Sequence, residues 1–291
     1  EGEKSIEGST VFFAVTLVIS TICLMLMTPF PPVNIIVISV MVAAFGTLVE
    51  AVSWRGFDNL FLPIALLIFL SMHAASPLPD LLWLAALFAG SIVVFRGIAP
   101  KFGLTNHAAR VYLSVIFVRL AVTEIQNAVF SILVLAAHTW SRISTPSHDK
   151  FPDLDVVASI ALISLGWLTL GNATGANAIS FYGITAMGMA TALCALALSA
   201  QSIAMRVAGL GVVVGVACVL RAVIVAMNPD AQNWNGPMRP AVLGCLALTA
   251  LIPSLAPAIF GNGRMTKVTL LALAIPLAAY IFAIDITGLW T

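Results

Sequence analysis

The chain has 291 residues, 61% of them hydrophobic and 9% charged, with a mean hydropathy of +1.08. Soluble domains carry about 45–50% apolar and about 25% charged residues, so 13 Lys and Arg with 12 Asp and Glu cannot cover a water-facing surface of this length. This excludes a soluble enzyme, a nucleic-acid-binding domain, a disordered chain and a disulfide scaffold; the continuous apolar runs also exclude an outer-membrane barrel, whose strands alternate apolar and polar over about 10 residues.

The expected fold is therefore all-α, a polytopic integral membrane helix bundle with 10–11 transmembrane helices. Residues 1–10 are polar and lack the shape of a signal peptide. Apolar runs long enough to cross a hydrocarbon core follow at 11–28, 34–52, 60–76 and 81–98. Further runs lie at 156–172, 182–200, 208–227, 241–260 and 268–287. Between the two sets, 108–141 is interrupted by Arg119 and by the polar string Thr123 to Asn127. It reads either as one tilted helix or as two crossings, 108–123 and 125–141. Cytoplasmic loops are enriched in Lys and Arg, and this decides between them. Two crossings gather Lys4, Arg55, Arg96, Lys101, Arg110, Arg142, Lys150, Arg206, Arg264 and Lys267 on one side and leave Arg239 on the other. A single crossing nearly abolishes that bias. Eleven spans are therefore expected, with the N-terminus cytoplasmic, in a membrane of the bacterial inner (cytoplasmic) type. Asn228 to Pro237 is then an outside loop.

Polar groups are costly in a bilayer, so those near the spans carry the functional information. Lys4, Ser5, Glu7, Gly8 and Ser9 lead into the first span. A serine there caps a helix start. The same start, with glycine for close approach and Lys4 for charge, suits a phosphate. Glu50 sits at the apolar end of the second span and needs a cation, a metal or a proton. Arg55 is the nearest cation in sequence, and Asp58 with Asn59 opens the third span, where a carboxylate complements the helix dipole. Glu50 and Asp58 together can hold Mg²⁺ bearing nucleotide phosphates, because Mg²⁺ takes one or two carboxylates plus phosphate oxygens. The plainer alternative is a Glu50–Arg55 pair and an Asp58 cap.

The remaining polar groups read as structural. Arg119 and Glu124 are expected to pair between helices, with Gln126 and Asn127 beside them. Gly171 to Gly183 reads as an external loop, and His73 and His138 as interfacial histidines. His148, Asp149, Asp153 and Asp155 read as a solvated loop, and Cys23, Cys194, Cys218 and Cys245 as buried free thiols.

The strings Lys4-Ser-Ile-Glu-Gly-Ser9 and Glu50…Ser53-Trp-Arg-Gly-Phe-Asp-Asn-Leu60…Pro63 resemble the C-terminal signature of the phytol, dolichol and diacylglycerol kinase group, membrane enzymes similar to phosphatidate cytidylyltransferases. There a K-[ST]-x-E-G-[ST] element opens one helix and an E…[SP]-x-G-x-D-N element follows one helical hairpin later. The resemblance covers about residues 1–75. It implies phosphoryl transfer from CTP, or a related nucleotide, to phytol, a polyprenol or diacylglycerol, with Mg²⁺ as cofactor. Lys4, Ser5, Glu7, Gly8, Ser9, Arg55, Gly56 and Asn59 would bind nucleotide, and Glu50 and Asp58 would be the catalytic and metal-binding pair. The family carries further spans upstream, with a G-D-x-x-A element. The present chain starts at Glu1, so the expectation is half a site, inactive without the upstream part. The expected organisation is a kinase-like part, 1–75, and an additional membrane region, 76–291. If that second region carries the function, a transporter or a non-catalytic membrane scaffold is the alternative.

Overall fold

The computed structural model describes residues 5–52, 58–146, 152–174, 178–228 and 238–283. Among these residues there are eleven α-helices and no strand: α1 Ile6–Met27, α2 Pro32–Val52, α3 Asp58–His73, α4 Leu78–Ile98, α5 Asn106–Val122, α6 Ala128–Ser144, α7 Pro152–Thr174, α8 Ile179–Ala197, α9 Ile203–Met227, α10 Met238–Leu255 and α11 Arg264–Ala283. Eight of them are long and apolar enough to cross a membrane; α3, α5 and α6 are shorter, at 16, 17 and 17 residues. This is the all-helical membrane bundle that the composition demands.

The helix starts follow local chemistry. Ser5, Thr105 and Ser202 cap α1, α5 and α9, each accepting a backbone N–H three residues on. Proline opens α2 at Pro32, where its missing N–H costs nothing. The run 108–141 breaks into two helices, α5 and α6, at a 3-10 turn, Ile125–Asn127.

The chain divides into two compact units, Glu1–Thr123 and Glu124–Thr291. The stretch that carries the family resemblance, 1–75, is thus part of a unit that also includes α4 and α5. In the first unit α2 packs against α1, α3, α4 and α5. Its core is a set of phenylalanines, one from each of α2 to α5: Phe45, Phe69, Phe88 and Phe117, with ring centroids 4.6 to 6.4 Å apart. At the end of the unit away from Ser5, Asn34 Nδ2 donates to the Ser76 carbonyl at 3.1 Å. There too His73 Nε2 lies 2.7 Å from the Ala121 carbonyl oxygen, which makes that nitrogen the N–H donor.

In the second unit α8 is the axis. Every residue from Ile179 to Ala197 is buried, and α6, α7, α9, α10 and α11 surround it. Small side chains allow this. A Cβ on Gly188 would stand 2.6 Å from Cys245 Sγ and 3.1 Å from Ala272 Cβ, and one on Gly183 would stand 2.9 Å from the Phe130 ring. Two polar groups on α8 are matched laterally: the Tyr182 and Ser131 hydroxyls are 2.6 Å apart, and Trp167 Nε1 donates to Thr185 Oγ1 at 3.1 Å. The expected external loop at 171–183 is therefore corrected. α7 continues to Thr174, whose hydroxyl donates to the Leu170 carbonyl and lies 2.7 Å from that of Tyr280. Residues 178–183 are buried.

Candidate functional site

Three helix ends carry the residues singled out in the sequence. α1 begins behind Ser5, whose Oγ accepts the Gly8 N–H at 3.0 Å while its carbonyl accepts the Ser9 N–H at 3.0 Å. The cap thus occupies Gly8 and Ser9, and Ile6 and Glu7 are the first-turn donors outside it. Ser5, Glu7 and Gly8 are exposed and Ser9 is half-buried. Gly8 is demanded neither by backbone conformation nor by packing: a Cβ there would make only an ordinary 3.4 Å contact with Ser5 Oγ. Glycine inside a helix costs roughly 0.5–1 kcal/mol relative to alanine, and no contact among the described residues accounts for it here.

The geometry turns on Gly46 of α2, which is buried. A Cβ at this position would stand 3.6 Å from Phe12 Cε1 on α1 and 3.5 Å from Leu62 Cδ1 on α3. Residues four apart share a helix face. Glu50 lies one turn beyond Gly46, Gly8 one turn before Phe12, and Asp58 one turn before Leu62. The three polar motifs accordingly extend from one junction of three helices, toward the same end of the first unit. Glu50 is half-buried. Asp58 and Asn59 open α3, and only their helix position is described; Lys4, Arg55 and Gly56 lie outside the described residues.

Other expectations are corrected. Asp155 is not part of a solvated loop. It sits in the first turn of α7, and its carboxylate accepts the N–H groups of Met265 and Thr266 at 2.6 and 2.8 Å and the Thr266 hydroxyl at 2.6 Å. It caps α11 from another helix. His148 and Asp149 fall outside the described residues, as does the Asp153 side chain. Asn228, the first residue of the expected outside loop, is itself buried, at 8% exposure, and exchanges amide hydrogen bonds with Asn127, at 2.9 and 3.1 Å; residues 229–237 of that loop lie outside the described residues. Gln126 Nε2 joins the pair, donating to Asn228 Oδ1 at 3.1 Å. His138 is buried within α6 rather than interfacial. All four cysteines are free thiols, but only Cys194 and Cys245 are buried; Cys218 is half-buried and Cys23 exposed.

Among the described residues no group of three or more His, Cys, Asp or Glu is gathered to hold a metal. A pair of carboxylates on adjacent helix ends is the donor set on which a Mg²⁺–nucleotide reading rests. Set against family models, curated proteins and solved structures, the chain matches none. The class its fold defines is an all-helical integral membrane protein.

Proposed function

We propose that the joined ends of α1, α2 and α3 form half of the nucleotide site of a membrane lipid-alcohol kinase, which transfers phosphate from CTP or a related nucleotide to phytol, a polyprenol or diacylglycerol. The observation that supports this reading most is the junction at Gly46, from which Gly8, Glu50 and Asp58 each stand one helical turn in the same direction. Gly8, which no contact among the described residues requires, fits the close approach of a phosphate to a helix start. In this reading the Ile6 and Glu7 N–H groups face that phosphate, and Lys4 and Arg55 balance its charge. Gly56 allows a second close approach, Asn59 and Ser9 offer further hydrogen bonds, and Glu50 with Asp58 would hold Mg²⁺. A bound Mg²⁺ would supply charge neutralisation on the phosphate oxygens.

The chemistry is an in-line displacement. The alcohol oxygen forms a bond to the terminal phosphorus, the bridging P–O bond breaks, and CDP leaves with that electron pair. The alcohol proton passes to a carboxylate of the site. The apolar helices keep the lipid tail in the bilayer, and nucleotide supply makes this end cytoplasmic, in a membrane of the inner (cytoplasmic) type. The family's upstream element would complete the site.

Equilibrium binding of labelled CTP tests the reading directly, in the protein expressed with any sequence its gene encodes before Glu1. Binding is expected to need Mg²⁺ and to weaken at least about tenfold in Glu50→Gln and in Asp58→Asn, the loss of about 1.4 kcal/mol of contact energy. Binding unchanged by Mg²⁺ removal and by both substitutions would remove the proposal.

A further inference from the structure

The second unit holds a cation within a membrane-spanning helix that the nucleotide site does not use. Arg221 lies on α9, a helix of 25 residues that is long and apolar enough to cross a membrane. It shares a stripe with Ala217, Ile224 and Asn228, which are 2%, 3% and 8% exposed. Arg221 itself is half-buried, and its Nε is shielded from solvent and has no hydrogen-bond partner.

Other basic groups of this unit differ. Arg206 donates to the Ser254 carbonyl, Arg264 to the Ser141 carbonyl and hydroxyl, and Lys267 to the Ile259 carbonyl. The Asp155 carboxylate is engaged at the start of α11. A half-buried guanidinium in an apolar helix, with no carboxylate paired to it among the described residues, is expensive, so an anion is called for.

Position indicates which anion. α9 is about 37 Å long, against a hydrocarbon core of about 30 Å. Arg221 is six residues, about 9 Å, from its last residue Met227. A centred α9 would therefore put Arg221 about 5 Å inside the hydrocarbon edge, within reach of the headgroup layer for a long snorkelling side chain. The amides of Gln126, Asn127 and Asn228 form a polar ledge at that same end of α9. We propose that Arg221 binds a phosphate group, as carried by an anionic phospholipid, at the membrane face where α9 ends. This does not depend on the kinase reading.

The test uses the full chain in detergent, stripped of lipid, with melting temperature and lipid retention in native mass spectrometry as readouts. Phosphatidylglycerol, a phosphate-free galactolipid and inorganic phosphate are added separately. Phosphatidylglycerol is expected to raise the melting temperature by about 3–5 °C and to remain bound, with no rise from the galactolipid. Arg221→Gln is expected to lose both effects, while Arg221→Lys keeps part of them and Arg239→Gln, at an exposed position on α10, keeps them in full. An equal rise with inorganic phosphate would keep the site and make a free phosphate its occupant. An equal lipid effect in wild type and Arg221→Gln would overturn the proposal. So would an Asp230→Asn variant that mimics Arg221→Gln in the absence of lipid, because the counter-charge would then be the chain's own.

Discussion

Single atoms decide much of the packing. Gly188 is the tightest position around α8, with Cys245 Sγ, Ala272 Cβ and Thr249 Cγ2 at 2.6, 3.1 and 3.3 Å from where a Cβ would stand. These belong to α10 and α11, so a methyl group must push two helices. Gly188→Ala is expected to destabilise the protein by about 1–3 kcal/mol, read as a lowered melting temperature in detergent. Gly211→Ala is the control: it has no atom within 4 Å on α9, and should be neutral or slightly stabilising through helix propensity. The Asn127–Asn228 exchange is a second single-residue device. Removing one amide leaves the other buried with fewer partners, so Asn127→Ala should cost about 1–2 kcal/mol. Asn127→Ala with Asn228→Leu should cost less than the sum of the single changes, measured as a double-mutant cycle. None of these contacts is visible in sequence. Asn228 follows the last apolar residue of a span and stands before a proline, where a loop is the natural reading.

At the scale of elements, hydropathy located the helices within a few residues and missed their ends where the ends are made by partners. α11 was expected to begin at Val268, past the charges at Arg264 and Lys267. It begins at Arg264 because Asp155, 110 positions before Met265, accepts the N–H groups of Met265 and Thr266. Asp155→Asn removes the charge that complements the helix dipole, and Asp155→Ala removes the cap altogether. Losses of about 0.5–1 and 1–2 kcal/mol are expected, with faster hydrogen exchange confined to the first turns of α11. Uniform exchange across α11 in Asp155→Ala would contradict a capping role. The basic residues show the same limit. Charge alone supports the expectation that they crowd on one side of the membrane. That Arg206, Arg264 and Lys267 bond the carbonyls of Ser254, Ser141 and Ile259 is not legible in the sequence, because the neighbours are set by tertiary packing.

At the scale of the molecule, composition was enough for the class. An apolar fraction of 61% leaves a helical bundle as the economical way to satisfy every backbone group in lipid. The division at Thr123 into a five-helix unit and a unit built around α8 has no compositional mark, since both are equally apolar. The candidate site was legible as two short strings; the structure adds that α1, α2 and α3 meet at Gly46, through Phe12 and Leu62. Gly46→Leu should drive those helices apart and lower nucleotide binding along with stability, whereas Gly46→Ala, at ordinary contact distances, should leave both intact.

The measurement that bears most directly on the account is phosphoryl transfer in liposomes from terminally labelled CTP with Mg²⁺ to phytol, a polyprenol or diacylglycerol. The protein would be compared as this 291-residue chain, with any sequence its gene encodes before Glu1, and as Asp58→Asn in the longer form. Label in one of the lipids from the longer form, at least about a hundredfold less from Asp58→Asn, is the result the proposed site predicts. No label in any alcohol from the longer form, with nucleotide and Mg²⁺ in excess, would contradict the kinase site and shift the function to another part of the bundle.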